Sequence, residues 1–445
     1  MISSGRLTIG FMIVYIAALP LLWPRPPLSA ISGAGKVIVF ADFAFAALLV
    51  VLLGSSAHRL LPIRRDAVIF SLSPIAALVI AGISTGVGTR ALPDILRTAY
   101  SICVFLLFAH FRLTFSETVV LVRSWVVVAL LISVAGFLSF LGVTLFGMPQ
   151  NPLAYANSPN LGEQVVRVSS TLGSNALILY IQATIAFCVF LIGSGGTSGW
   201  QRRALQYALA ALLLVSLFTI SRGIVGLVIS LALSAYVSKD RVYALWRVRR
   251  ALACAAGLLV VGGAIATIWA VFPVEVRLDR DRERFRVEIN TQKNAYYVLH
   301  TAALRMFLAS PLVGVGPGNF GGNVARFTTP DERRSAWPSI GESIDYDPHS
   351  AWFGWAAKGG IVGIGGWVVL YVWILWQLIR RRPSEDPFNV RRLVGIALIG
   401  ILLNGFYVEI SHLKFIWAFL GIGMSASQSP GVAVISNASA GRQRS

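Results

Sequence analysis

The chain has 445 residues, of which 56% are hydrophobic and 13% charged, with a formal net charge of +19. Apolar runs long enough to cross the ~30 Å core of a bilayer recur from end to end, which excludes a soluble globular fold. The arginines sit mostly in short loops between those runs, where they act as topology signals, so the charge does not imply nucleic-acid binding.

In chain order, the first apolar run is Leu7 to Trp23. It reads as a retained span, because the small-residue site Leu28-Ser29-Ala30 lies beyond the loop Pro24-Arg25-Pro26-Pro27. Further spans are predicted at 36–53, 67–85, 94–110, 118–142, 174–193, 204–220, 223–238, 251–272, 352–378, 392–409 and 412–426, about twelve in all. Cys103, Cys188 and Cys254 fall within spans, far apart, and read as small buried hydrophobes with no disulfide or metal spacing.

Loops carrying Arg59, Arg64 and Arg65, then Arg202 and Arg203, then Lys239 to Arg250, then Arg380 to Arg382, all fall on one side. Both termini are therefore expected in the cytoplasm. The expected organisation is an all-α polytopic membrane protein: residues 1–272 hold transmembrane helices 1–9, 273–351 form one large extracytoplasmic loop subdomain, 352–426 hold helices 10–12, and 427–445 form a disordered cytoplasmic tail.

Chemistry is expected beside the long loop. Asp347-Pro348-His349-Ser350 is followed after nine residues by Gly360-Ile361-Val362-Gly363. An imidazole titrates near neutrality, so His349 can hold or deprotonate a hydroxyl, with Asp345 or Asp347 orienting its ring. A surface histidine at a helix start is the plain alternative. Arg222 stands in Thr219-Ile220-Ser221-Arg222-Gly223, a break between two apolar runs. It is either a snorkelling residue in a tight turn or a guanidinium fork offered to phosphate oxygens. Arg167 is placed on the same face, as a plain loop arginine or a ligand, and Arg305, on the helix leading into Ser310-Pro311, points either toward the membrane surface or into water. The series Arg277, Arg280, Arg282, Arg284 and Arg286, interleaved with acids, reads as a solvated, salt-bridged helix. The segment Ser310 to Phe320 reads as a tight glycine-rich turn and not as a nucleotide loop, since no strand precedes it.

Together these residues resemble the O-antigen ligase and polymerase superfamily of bacterial membrane glycosyltransferases. The ligase pattern His-[Asn/Ser/Gln], nine residues, Gly-x-x-Gly is met by His349-Ser350 and Gly360-x-x-Gly363; Ser221-Arg222-Gly223 and Ala303-Leu304-Arg305 running into Pro311 to Phe320 are similar too. The resemblance covers roughly residues 160–425. The arginine and tryptophan that such sequences often carry before Ala-Leu-Arg are not met by Lys293 to His300, so no role is carried over there.

The resemblance implies a glycosyltransferase-C-like fold in the inner membrane and a metal-independent enzyme without cofactor. Its donor would be a glycan on undecaprenyl diphosphate and its acceptor lipid A core, with membrane lipids around it and the active site facing the periplasm. Arg222, Arg167 and Arg305 would bind the diphosphate, and Arg222 and His349 would be catalytic. A polymerase of O-antigen or exopolysaccharide, passing the chain to a second lipid-linked glycan, is the alternative. A secondary transporter is a third, disfavoured because the spans hold few acids beyond Asp42 and Glu409.

Overall fold

The computed structural model describes residues 4–21, 39–156, 166–194, 198–219, 221–237, 274–279, 284–289, 295–336, 348–380 and 390–425. The expected ninth span (251–272), Cys254, Asp345, Asp347 and the tail 427–445 lie outside them.

The chain is mostly helical. Helices α1 (Ser4–Ala18), α2 (Phe40–Val51), α3 (Arg65–Ser84), α4 (Leu92–His110), α5 (Phe115–Phe146), α6 (Ser174–Gly193), α7 (Gly199–Phe218) and α8 (Ile224–Val237) stand at the first eight expected spans. Later come α9 (Ala295–Ala309), α10 (Phe320–Phe327), α11 (Pro330–Ala336), α12 (Ala351–Ile379), α13 (Val390–Asn404) and α14 (Lys414–Ser425). Among the described residues, six helical stretches are long and apolar enough to cross a membrane: Phe40–Arg59, Arg65–Ser84, Gly88–His110, Phe115–Phe146, Ser174–Gly193 and Ala351–Ile379.

The mostly helical chain fits the expected all-α membrane class, with two short hairpins beside the helices: β1 (Ala154–Ala156) pairs antiparallel with β2 (Val166–Val168), and β3 (Val274–Asp279) with β4 (Arg284–Ile289). Two expectations are corrected. The second hairpin replaces the salt-bridged helix expected around Arg277 to Arg286. Its sequence alternates apolar and polar residues with period two, which suits a strand, and the register sets Val276 opposite Val287 and Leu278 opposite Phe285. Finally, Cys188 is buried but Cys103 is exposed, because it lies on the outward side of α4 while Ile102, Val104 and Phe105 point inward.

The bundle has two distinguishable ends. At one end Arg59 is paired with Glu117 at 2.6 Å, Arg64 with Asp66 at 2.6 Å, and the buried Arg391 donates to the Met424 carbonyl at 2.9 Å. At the other end α8 begins, α13 finishes, α12 starts and α9 packs across. Helix α6 is apolar on every side, and 94% of its apolar window is buried, as expected of the central helix. A column of stacked aromatic rings fills the interior, with Trp355 and Trp367 at 4.9 Å and Tyr371 and Trp417 at 5.7 Å. Small residues bring α3 and α12 together: Ser73 donates to the Gly366 carbonyl at 2.8 Å, and a Cβ on Gly366 would lie 2.8 Å from that of Ala77.

Helix α12 is broken at Gly360, whose φ of 60° and ψ of −151° are not helical. The helical bonds lost there are replaced by the glycine-rich loop. Ile361 donates to Pro311 at 2.8 Å and Val362 to Leu312 at 3.1 Å, while Val315 donates to Ala357 at 2.8 Å. A Cβ on Gly360 would sit 2.4 Å from the Leu312 carbonyl carbon, so only glycine fits both the angle and the contact. The loop is fastened at its far side by Asp94, which accepts from the Gly318 amide at 3.1 Å and faces Lys358 at 3.7 Å.

Candidate functional site

Arg222 is presented by a break that a buried polar network holds open. The Ser221 hydroxyl donates to Asn175 at the start of α6 at 2.8 Å and accepts from the Gly223 amide at 3.2 Å. Asn404, at the end of α13, donates to the Gly223 carbonyl at 2.9 Å and accepts from the Gly226 amide at 3.2 Å. That amide is one of the donors a helix start leaves unsatisfied, so Asn404 caps α8 from another helix. The same Asn404 amide donates to Gln182 at 3.1 Å, and Gln182 donates to Ser230 at 2.7 Å and to the Ala397 carbonyl at 3.0 Å. Three helices are thus locked behind one arginine.

The Arg222 guanidinium is half-buried and lies over two aromatic rings, Tyr296 at 5.2 Å and Tyr407 at 5.6 Å. Such stacking fixes the plane of the fork while leaving its charge intact.

His349 lies directly beside this cluster. Its ring is 5.5 Å from that of Tyr296, so Tyr296 touches both residues. The imidazole is exposed, and the backbone is left-handed, with φ at 50°. A non-glycine residue adopts that conformation at a cost and keeps it only when its neighbours are fixed. On the C-terminal side they are: Ser350 donates to the Gly405 carbonyl at 3.0 Å, caps α12 by accepting from the Phe353 amide at 3.3 Å, and is followed by Ala351, whose amide reaches Gly405 at 2.8 Å.

The spacing of the sequence motif now has a physical content. His349 takes the strained corner, Ser350 caps the helix, Gly360 breaks it one platform later, and a Cβ on Gly363 would meet the Trp355 carbonyl at 2.8 Å.

Reasoning from the sequence missed His300, one turn beyond Tyr296 on α9. Its ring stacks on Phe353 at 4.7 Å and 20°. Burial, with the Arg222 guanidinium nearby, pushes its pKa down to about 4. Tyr296 and His300 at i and i+4 share one helical face, which is the signal that could have marked them. Tyr407 and Asn404 carried a fainter one, a polar break at the end of an apolar run.

Two candidates remain, Arg167 and Arg305. Arg167 is on β2, with Tyr155 as its register partner, and the chain runs on from it to Asn175, which touches Ser221. Arg305 is five residues past His300, about 140° around the helix. It is exposed and held by Glu332 through two bonds of 3.0 Å, and also donates to the Phe327 carbonyl at 2.9 Å. That guanidinium keeps the Glu332 carboxyl below the usual carboxylate range.

Residues 207–368 match the family model described as O-antigen ligase. This segment belongs to the O-antigen ligase family. It contains Arg222, Tyr296, His300, His349 and both motif glycines, and stops short of Asn404 and Tyr407, so the O-antigen ligase segment is completed here by α13 and the turn after it. No curated protein matches the chain.

Proposed function

We propose that the protein is a membrane glycosyltransferase of the ligase type, moving a glycan from undecaprenyl diphosphate to lipid A core. The observation that carries this reading is that Arg222 and His349, 127 residues apart in sequence, meet around Tyr296 at one end of an apolar bundle. A lipid-linked diphosphate needs its head at such an end and its tail along the helices.

In this reading the acceptor hydroxyl oxygen bonds to the anomeric carbon, and the carbon–oxygen bond to the diphosphate breaks with its electron pair leaving on the diphosphate. Arg222 binds the diphosphate and stabilises the charge developing on it. His349 positions the hydroxyl or takes its proton, oriented by Asp345 or Asp347. Arg167 assists at the diphosphate; Arg305 does so only once Glu332 releases it. No metal ion or cofactor is used. The twelve-span topology has both termini in the cytoplasm and this end of the bundle facing the periplasm, with 273–351 as the extracytoplasmic subdomain. Asp42, on α2, is engaged with Lys414, and Glu409, in the turn after α13, with Ser411, which disfavours a transporter.

The test is a reconstituted assay without added metal, in which undecaprenyl diphosphate-linked glycan is offered either lipid A core or a second lipid-linked glycan. Transfer to lipid A core supports the ligase. Chain lengthening alone makes it a polymerase of the same superfamily, and absence of both with folded protein overturns the reading.

A further inference from the structure

At the end of the bundle away from Arg222, where α4, α12 and α14 finish and α3 and α13 begin, the helices leave a cavity of about 370 Å³. Its wall is of two kinds: Leu61, Trp373 and Met424 give apolar surface, while Arg64, His110 and Arg391 give polar surface whose formal charge is positive. Among the described residues no carboxylate lines it. Asp66 does not line the cavity but braces its wall, holding Arg64 through bonds of 2.9 and 2.6 Å and accepting from the Trp373 indole at 3.4 Å. Arg391 is only 2% exposed, and its bond to the Met424 carbonyl at 2.9 Å fixes it against the end of α14. A guanidinium set into a cavity wall presents a planar array of donors, the geometry that matches phosphate oxygens.

The surroundings point to the source of that phosphate. Ile63, next to Arg64 in the chain, and Trp376 and Ile379, near the end of α12, are exposed, and the Arg380 guanidinium lies over the Trp376 ring at 4.5 Å. An exposed tryptophan beside an arginine, with aliphatic side chains at the same end of a helix, is the pattern of a bilayer–water boundary. The cavity therefore stands at the depth of lipid headgroups. A free phosphate would meet the charge and leave the apolar wall uncovered, whereas a phospholipid carries both parts. We propose that this cavity binds an anionic phospholipid, with its phosphate on Arg391 and Arg64 and its glycerol and first acyl carbons along Leu61, Trp373 and Met424. Basic pockets between transmembrane helices take lipid headgroups in this way. A lipid seated there bridges the ends of three helices and the starts of two, and stabilises the folded chain because the unfolded one has no such cavity.

The experiment follows the thermal midpoint of the purified full chain in dodecyl maltoside as dioleoyl phosphatidylglycerol, dioleoyl phosphatidylcholine or inorganic phosphate is added, and needs no enzymatic activity. Phosphatidylglycerol is expected to raise the midpoint saturably, and the other two to leave it unchanged at the same concentration. Three variants locate the effect. Arg391→Gln removes the buried charge, and the phosphatidylglycerol needed for half-saturation should rise at least about tenfold. Ala67→Phe keeps every charge and puts a ring into the cavity from α3, where Ala67 is buried in the wall, and should lose the response to the same degree. It decides the matter alone where Arg391→Gln does not fold. Arg203→Gln, an exposed position on α7, removes the same charge far from the cavity and should respond as wild type does. A wild-type chain indifferent to phosphatidylglycerol overturns the proposal, as does an Ala67→Phe chain that responds like wild type. An equal response to phosphatidylcholine, or an equal loss in Arg203→Gln, overturns it too, since lipid is then bound without regard to this cavity's charge. Saturable stabilisation by phosphate equal to that by phosphatidylglycerol overturns the lipid assignment in favour of a soluble anion.

Discussion

Asn404 and Gly223 are joined by a hydrogen bond of 2.9 Å between an amide on the last residue of α13 and the carbonyl just after Arg222. Three residues on, Tyr407 supports the Arg222 guanidinium from one side. One short stretch of chain therefore both opens the helix break and orients the charge that the break exposes.

Asn404→Leu removes an acceptor from the Gly226 amide and donors from Gly223 and Gln182. Each buried group so abandoned costs roughly 1–3 kcal/mol. The thermal midpoint in detergent should fall by several degrees, and transfer should fall with it even though residue 404 is not itself placed at the diphosphate.

Arg222→Lys keeps the charge but loses the planar fork that two tyrosine rings hold. Transfer should drop by about 10²-fold or more, with folding and membrane insertion unchanged. Activity near wild type in the lysine variant would make the arginine a structural charge.

His349→Asn should fold normally, because asparagine tolerates the left-handed conformation found there. It has no titratable ring, so loss of transfer in a protein of unchanged thermal midpoint would separate the chemistry of His349 from its backbone role.

Gly318→Ala should destabilise the protein by at least about 1–2 kcal/mol, the cost of a left-handed residue, before any clash is counted. The clash is severe, since a Cβ there would lie 2.0 Å from the Arg90 carbonyl oxygen at a φ of 75°. Thermal unfolding in detergent measures it.

The pH dependence of stability should carry the signature of His300. Its folded pKa of about 4 lies below the unfolded value near 6.5. Between those values the unfolded chain binds a proton that the folded one does not, so stability is full above pH 6.5 and declines as pH falls toward 4. Glu332, held low by Arg305, adds a further loss as pH falls through the acid range. His300→Phe should flatten the decline between pH 6.5 and 4 and leave the Glu332 part in place, as thermal midpoints across that range would show.

The helices were legible because length and hydropathy decide what a bilayer accepts, and Arg222 was legible because a lone arginine between two apolar runs demands an explanation. The strand character of 274–289 was hidden by its charges: an arginine–acid alternation suits a solvated helix as well as a two-residue strand period, and the apolar residues between the charges were given too little weight. His300 was missed for a different reason. Its spacing from Tyr296 was the one local sign of it, and its meaning comes from Phe353 and Arg222, which the fold brings to it. The same holds for Cys103, whose neighbours in sequence are buried while it faces outward.

The break at Gly360 divides α12 mechanically. The nine residues from Ala351 to Gly359, with His349 at their head, are fastened to the loop at Val315 and to the turn at Gly405, while Ile361 and Val362, past the break, are fastened to the same loop at Pro311 and Leu312. The part from Ile361 to Ile379 packs against α3. A bilayer that thickens or thins by a few ångström loads the long lower part, which answers by changing its tilt. Because the loop from Pro311 to Val315 bonds both parts across the glycine joint, that tilt reaches the platform through the loop and not through a continuous helix.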